Sequence, residues 1–281
     1  MARVWLAVLF MMGFVGGAVA QTGPCSADDA CKIDEGSYHL MAPPDWDGQT
    51  PLPVLVFFHG FGSSGRTIFN AGSLKSTFLN NGYIVVGPNG SLRPGSNTRF
   101  WPARPNNEGF RDDVAFTRAV VDDVAARLPV QRDRVFVTGF SAGGSMAWMV
   151  ACYDGANYAG FVSVAGALRR PVPAETCPAG PVRLLQIHGF ADGQVPIEGR
   201  AIGNWHQGDV FESMNLLRNT NQCRTNPDEI TIGDRFRCRD WSASCGGGAA
   251  RLCIHDGGHG LPRGWSDMAK TWLETPFEPS N

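Results

Sequence analysis

No C-x2-C pair occurs in the 281 residues, and no cluster of histidines and carboxylates has the spacing of a metal site. A zinc module is therefore excluded as the organising element, and a site free of metal and cofactor is expected. Strong charge of either sign is also lacking: the formal net charge is −2, too mild to mark a partner of nucleic acid or of an anionic surface. Beyond the N-terminal stretch no apolar run is long enough for a membrane span. No Ser/Thr-rich or proline-rich linker divides the chain, so one domain with a sizeable core is expected from residue 21 to 281.

The N-terminal stretch, Met1 to Ala20, has the parts of an export signal: Arg3, an apolar core from Trp5 to Val15, and Ala18-Val19-Ala20 before Gln21. Cleavage there predicts a secreted protein, extracellular or periplasmic, with no remaining membrane anchor. All eight cysteines fall after the cut, and an even count behind an export signal reads as disulfides. The expected pairs are Cys25 with Cys31, Cys152 with Cys177, Cys238 with Cys253 on two adjacent strands, and Cys223 with Cys245.

What the chain does have is the stretch RVFVTGFSAGGSMAWMVA, from Arg134 to Ala151. Val135 to Val137 is an apolar run suited to a strand buried on both faces, and Ala142 to Cys152 is rich in helix formers. The join, Gly139-Phe140-Ser141-Ala142-Gly143, is a G-x-S-x-G in strand-turn-helix context. Such a turn strains the serine backbone and crowds the positions two before and two after it, where only very small residues fit. Ser141 is thereby the candidate nucleophile.

Around it the chain alternates. Strands are expected at Ser37 to Met41, Leu52 to Phe58, Tyr83 to Gly87, Phe161 to Ala165, Val182 to Ile187, Ile230 to Trp241 and Arg251 to His255. Helices are expected at Leu74 to Asn80, Asp112 to Leu128, Trp205 to Leu217 and Ser266 to Leu273, with Asp112 and Asp113 as caps of theirs. This alternation argues for an α/β domain with a mostly parallel sheet. The loops at the carboxyl ends of its strands line one crevice. The irregular segment Ser91 to Gly109 reads as one wall of that crevice.

A serine hydroxyl needs a base to take its proton, and the base needs a carboxylate to fix its tautomer. Asp192 and His259 follow Ser141 in loops after buried strands, in the order Ser, Asp, His. His255 and His206 are rivals for the base, on a strand and a helix, while His59 and His188 read as braces of their loops. Asp209 and Asp256 are rivals for the acid. Trp101, Trp205 and Trp265, with Phe100, are candidates for a substrate platform.

The blocks HGFGSSG at His59, DDVAF at Asp112, GFSAGGSMAW at Gly139, HGFADGQVPIEG at His188 and GGHGLPRGW at Gly257 stand in one order across most of the chain. In these the sequence resembles the secreted α/β hydrolases that group extracellular polyhydroxybutyrate depolymerases with feruloyl and acetylxylan esterases of carbohydrate esterase family one. The resemblance implies an α/β-hydrolase fold and a Ser141, Asp192, His259 triad. It also implies oxyanion donors at the N–H groups of Ala142 and Phe61. Two departures are Phe61, where many members carry cysteine, and Leu261, where a tryptophan is usual. The expected partner is an ester substrate met by a monomer. Hydroxyalkanoate polyesters or oligomers lead, feruloyl or acetyl esters of plant polysaccharide are the alternative, and acyl transfer through the same triad is a third reading.

Overall fold

Continuous apolar runs become the middle of the sheet. In LPVLVFF and RLLQIHG nearly every residue is buried, because helices cover both faces of the strands they form. The structure, a computed structural model, describes residues 25–105 and 109–276; the leader expected at Met1 to Ala20 lies outside them. In chain order the strands are β1 (Cys31–Ile33), β2 (Gly36–Met41), β3 (Leu52–Phe58), β4 (Ile84–Pro88), β5 (Ser91–Leu92), β6 (Arg99–Phe100) and β7 (Val130–Phe140). They continue with β8 (Gly160–Val164), β9 (Arg183–Gly189), β10 (Ala201–Ile202), β11 (Trp205–His206), β12 (Glu229–Ile232), β13 (Arg237–Trp241) and β14 (Ala249–His255). The helices are α1 (Gly72–Thr77), α2 (Asp113–Arg127), α3 (Ala142–Asp154), α4 (Val210–Thr220) and α5 (Trp265–Glu274).

Among the described residues, ten strands join in the order β1-β2-β4-β3-β7-β8-β9-β14-β13-β12. The run from β4 to β14 is parallel throughout, and antiparallel strands close both edges. This is an α/β-hydrolase fold. Alternation along β3 shows how the core divides. Val54, Val56 and Phe58 face one apolar cluster with Phe116 of α2 and Trp148 of α3. Leu55 and Phe57 face the other, with Leu74 of α1 and Trp272 of α5. Each such large side chain contributes about 2 kcal/mol of burial.

All four disulfides pair as expected: Cys25–Cys31, Cys152–Cys177, Cys223–Cys245 and Cys238–Cys253. The last joins residues directly opposite each other on β13 and β14. No helix among the described residues is long and apolar enough to cross a membrane.

Three expectations need correction. The helix expected from Trp205 starts only at Val210, because Asp209 caps it by accepting from the N–H groups of Phe211 and Glu212. Trp205 and His206 instead form the ribbon strand β11, paired with β10. The strand expected over Ile230 to Trp241 is a hairpin, β12 and β13, whose turn is closed by the N–H of Gly233 donating to Phe236 O. Asp112 does cap α2, accepting from Val114 and Ala115. Asp113 is not a cap: it is buried and paired with Arg111 at 2.6 Å, and burial raises its pKa to about 6.

Candidate active site

Ser141 sits between the end of β7 and the start of α3 with φ 59° and ψ −121°, a conformation a non-glycine residue holds only when its surroundings force it. They do so by close approach. A Cβ on Gly139 would lie 2.2 Å from Gly143 O, and one on Gly143 would lie 2.0 Å from Phe58 O. The Ser141 N–H donates to Val164 O at 2.9 Å, tying the turn to β8. Its hydroxyl is thus held above the carboxyl ends of the parallel strands.

His259 and Asp192 meet it there. His259 Nδ1 lies 2.8 Å from Asp192 Oδ2, and Nε2 lies 2.9 Å from Ser141 Oγ. Because a carboxylate only accepts, the ring proton belongs on Nδ1, and Nε2 is left to accept from the serine hydroxyl. Asp192 is buried, and its other oxygen accepts from the N–H groups of Gln194 at 2.9 Å and Val195 at 2.8 Å. The ring of Phe140 packs against His259 with centroids 5.0 Å apart, which limits the imidazole's tilt.

The rivals are engaged elsewhere. His255 is buried at the end of β14, where Nδ1 accepts from the Gly257 N–H. His206 Nδ1 bonds the Gln207 carbonyl. Asp209 is the α4 cap, and Asp256 pairs with Arg237 on the surface. His59 braces its loop as expected: Nδ1 donates to Gly60 O at 2.7 Å and Nε2 accepts from the Gly90 N–H at 3.0 Å. Burial pushes its pKa down to about 4, so the ring is neutral. The loop it braces passes close to the serine, since a Cβ on Gly60 would lie 3.6 Å from Ser141 Cβ.

A cleft of about 450 Å³ opens at Ser141, bordered by Phe61, Ala142, Phe100 and Trp205 among others. Ala142 is the first residue of α3, so its N–H has no partner within the helix. The platform expected from three tryptophans is reduced to one. Trp205 lines the cleft. Trp101 reaches it only as a residue behind the wall: its side chain is fully buried, with Nε1 donating to His59 O at 2.9 Å. Trp265 does not line the cleft; it is buried against Phe57 on the other side of the sheet.

Residues 47–206 match the phospholipase/carboxylesterase family over more than half of the chain. The chain belongs to the phospholipase/carboxylesterase family. The family segment contains Ser141 and Asp192; His259 lies beyond it and is brought back by the fold. A putative esterase, NocK, of Nocardia uniformis subsp. tsuyamanensis is 34% identical over 52% of this chain and 42% of its own length. Feruloyl esterase C of Emericella nidulans is 28% identical over 63% of this chain and 62% of its own. The chain thus matches less than two thirds of the length of either relative. Among solved structures, the acetyl xylan esterase from Aspergillus awamori superposes with a TM-score of 0.65 at 14% identity, covering 87% of this chain and 98% of that one. A Bacillus cereus carboxylesterase gives 0.55 at 16%, over 84% and 92%. These two likenesses are likenesses of fold.

Two parts of the site escaped the sequence reading. One is the Trp148 and Gln186 pair behind His188, which itself braces its loop as expected. Trp148 on α3 donates to Gln186 Oε1 at 2.7 Å, Gln186 Nε2 lies 3.1 Å from His188 Nδ1, and His188 Nε2 lies 2.8 Å from Val195 O. With the indole fixing the amide, Gln186 donates to Nδ1, so His188 carries its proton on Nε2. Burial lowers the His188 pKa, keeping that ring neutral. The other is Arg169, buried at the cleft, whose Leu-Arg-Arg-Pro context gives no sign of a functional position.

Proposed function

We propose that this chain is a secreted serine esterase that hydrolyses feruloyl or acetyl esters carried on plant polysaccharide. The reading is carried by the 2.9 Å contact between His259 Nε2 and Ser141 Oγ, with Asp192 at the other ring nitrogen. Family membership supports ester hydrolysis as the chemistry. The feruloyl esterase among its relatives, and the acetyl xylan esterase of like fold, move the substrate reading away from hydroxyalkanoate polyesters, which led on sequence alone. Four disulfides and the leader-like N-terminus support export.

The chemistry follows from the atoms present. His259 Nε2 takes the hydroxyl proton as Ser141 Oγ bonds the ester carbonyl carbon. The resulting oxyanion is met by the N–H groups of Ala142 and Phe61, each worth about 3 kcal/mol to a transition state of this kind. Collapse breaks the carbon–oxygen bond to the alcohol, which leaves with the proton from His259. Water then attacks the acyl-enzyme, gives its proton to His259, and releases the acid as Ser141 recovers its hydrogen. Asp192 stays ionised and steadies the imidazolium in both halves.

The test is a comparison of wild type with Ser141→Ala on methyl ferulate and acetylated xylan. Full loss of hydrolysis in the variant, with an unchanged circular dichroism spectrum, is expected. Hydrolysis that survives the substitution, or a wild type inert towards both substrates, overturns the reading.

A further inference from the structure

Arg93, Arg104, Arg169 and Arg200 all line the cleft that holds Ser141, and no aspartate or glutamate lines it among the described residues. Arg169 is the least usual of the four. It is only 8% exposed, its Nη1 donates to the carbonyls of Trp101 at 2.6 Å and Pro102 at 2.8 Å, and its Nε is buried with no hydrogen-bond partner. Its guanidinium carbon lies 4.9 Å from the Trp205 ring centroid, and that of Arg104 lies 5.5 Å from the same centroid. Burial and the neighbouring Arg104 lower the Arg169 pKa to about 10, so it remains a cation at neutral pH. Arg200 stands at the rim, its Nε donating to Gln207 Oε1 at 3.1 Å.

A buried guanidinium whose hydrogen bonds go to neutral carbonyls leaves its charge uncompensated, and a second cation at the same ring adds repulsion. An anion in the cleft offsets both. The guanidinium fork matches the planar, two-oxygen geometry of a carboxylate. We propose that the Ser141 cleft selects esters that carry a free carboxylate besides the scissile bond, with Arg169 as the buried anchor and Arg200 as the rim contact. The proposal rests on the esterase reading above and narrows its substrate class. A carboxylate has two sources here: a uronate side group on the esterified polysaccharide, or the free acid end of a hydroxyalkanoate oligomer.

The test uses two matched pairs on full-length Ser141→Ala protein, with binding measured by calorimetry. One pair is an acetylated xylo-oligosaccharide bearing glucuronic acid and the same oligosaccharide with that carboxyl reduced to an alcohol. The other is the linear hydroxybutyrate dimer as free acid and as methyl ester. The acid form of one pair is expected to bind about tenfold tighter or more, less so at high salt, and the pair showing the preference identifies the source. In the Ser141→Ala background Arg169→Met and Arg200→Gln should each pull the acid-to-neutral ratio towards one, a change that mere bracing of the wall would not produce. Should Arg169→Met fail to fold, Arg200→Gln carries the comparison. Equal affinities within both pairs, no measurable binding of either acid form, or a ratio untouched by the folded arginine variants overturns the proposal. Equal binding accompanied by wild-type turnover sinks only this inference. A clear preference for the acid with no turnover of any of the four compounds sinks only the esterase reading.

Discussion

His188 donates from Nε2 to the main-chain carbonyl of Val195 at 2.8 Å, while the N–H of Val195 donates to Asp192 Oδ1 at the same distance. The buried neutral imidazole therefore pins the turn that holds Asp192. Replacing it with leucine keeps the volume and removes the pin. Because a displacement of about 1 Å at a reacting group costs on the order of a hundredfold, His188→Leu should lower kcat by about that factor with KM little changed. Equal kcat in the two proteins would remove His188 from any role in positioning.

The Asp192 carboxylate has a different signature. Asp192→Asn keeps the shape but no longer demands a proton at Nδ1 of His259, so the tautomer that accepts from Ser141 is lost. A fall in kcat of about 10⁴ is expected, with Ser141→Ala falling further, to about 10⁶. Steady-state assay of both variants checks the order. A milder effect for Ser141→Ala than for Asp192→Asn would contradict it.

Stability should fall in mild acid, and His59 is a named cause. Its pKa is 6.5 when exposed and about 4 in the fold, lowered by burial. Between those values the unfolded chain binds a proton that the folded chain does not, so stabilisation present above about pH 6.5 is lost as pH falls towards 4. The loss is up to about 3 kcal/mol. Asp113, with its pKa raised to about 6 by burial, works in the opposite direction over part of the same window. Thermal melts at pH 7 and pH 4.5 should therefore differ less for His59→Gln than for wild type, and an identical drop in Tm would rule His59 out.

The turn at Ser141 has no room for a methyl group. Gly139→Ala sets a Cβ 2.2 Å from Gly143 O, whereas a Cβ on Gly72 meets nothing within 4 Å. The first substitution should cost about 3 kcal/mol or more. The second should stabilise by up to about 1 kcal/mol, since it restricts the unfolded chain without strain. Denaturant titration of the pair separates crowding from a general intolerance of glycine loss.

The legible parts of the molecule were those where local chemistry and fold agree. G-x-S-x-G between an apolar strand and a helix sets Ser141 at the carboxyl end of its strand, and the loops that carry Asp192 and the glycine-flanked His259 follow buried strands, so all three fall on the same rim as soon as the sheet is parallel. The helix that includes Trp205 in the sequence reading begins later in the fold, and Asp209 with Glu212 three residues on is the start signal that places its first turn. Trp101 and Trp265 show why an aromatic in a loop or at a helix start is poor grounds for a binding surface. Both are buried, and the Trp101 indole N–H serves a main-chain carbonyl instead of a ligand. Gln186 and Arg169 were illegible for another reason: their meaning lies in partners distant in sequence, 38 residues away for Trp148 and 68 for Trp101.

The C-terminal cross-links interlock. Cys223 reaches past Cys238 to Cys245, and Cys238 reaches past Cys245 to Cys253. A chain oxidised as it emerges, each thiol taking its nearest free predecessor, would join Cys223 to Cys238 first and be wrong. The correct weave requires either that the hairpin partner of Cys238 is already docked or that a thiol–disulfide exchange catalyst rewrites the early bond. Acid-quenched oxidation of the reduced protein, mapped by mass spectrometry, separates the two routes: a transient Cys223–Cys238 species marks the exchange route and its absence marks prior docking, while the Cys25–Cys31 and Cys152–Cys177 bonds form without rearrangement in either.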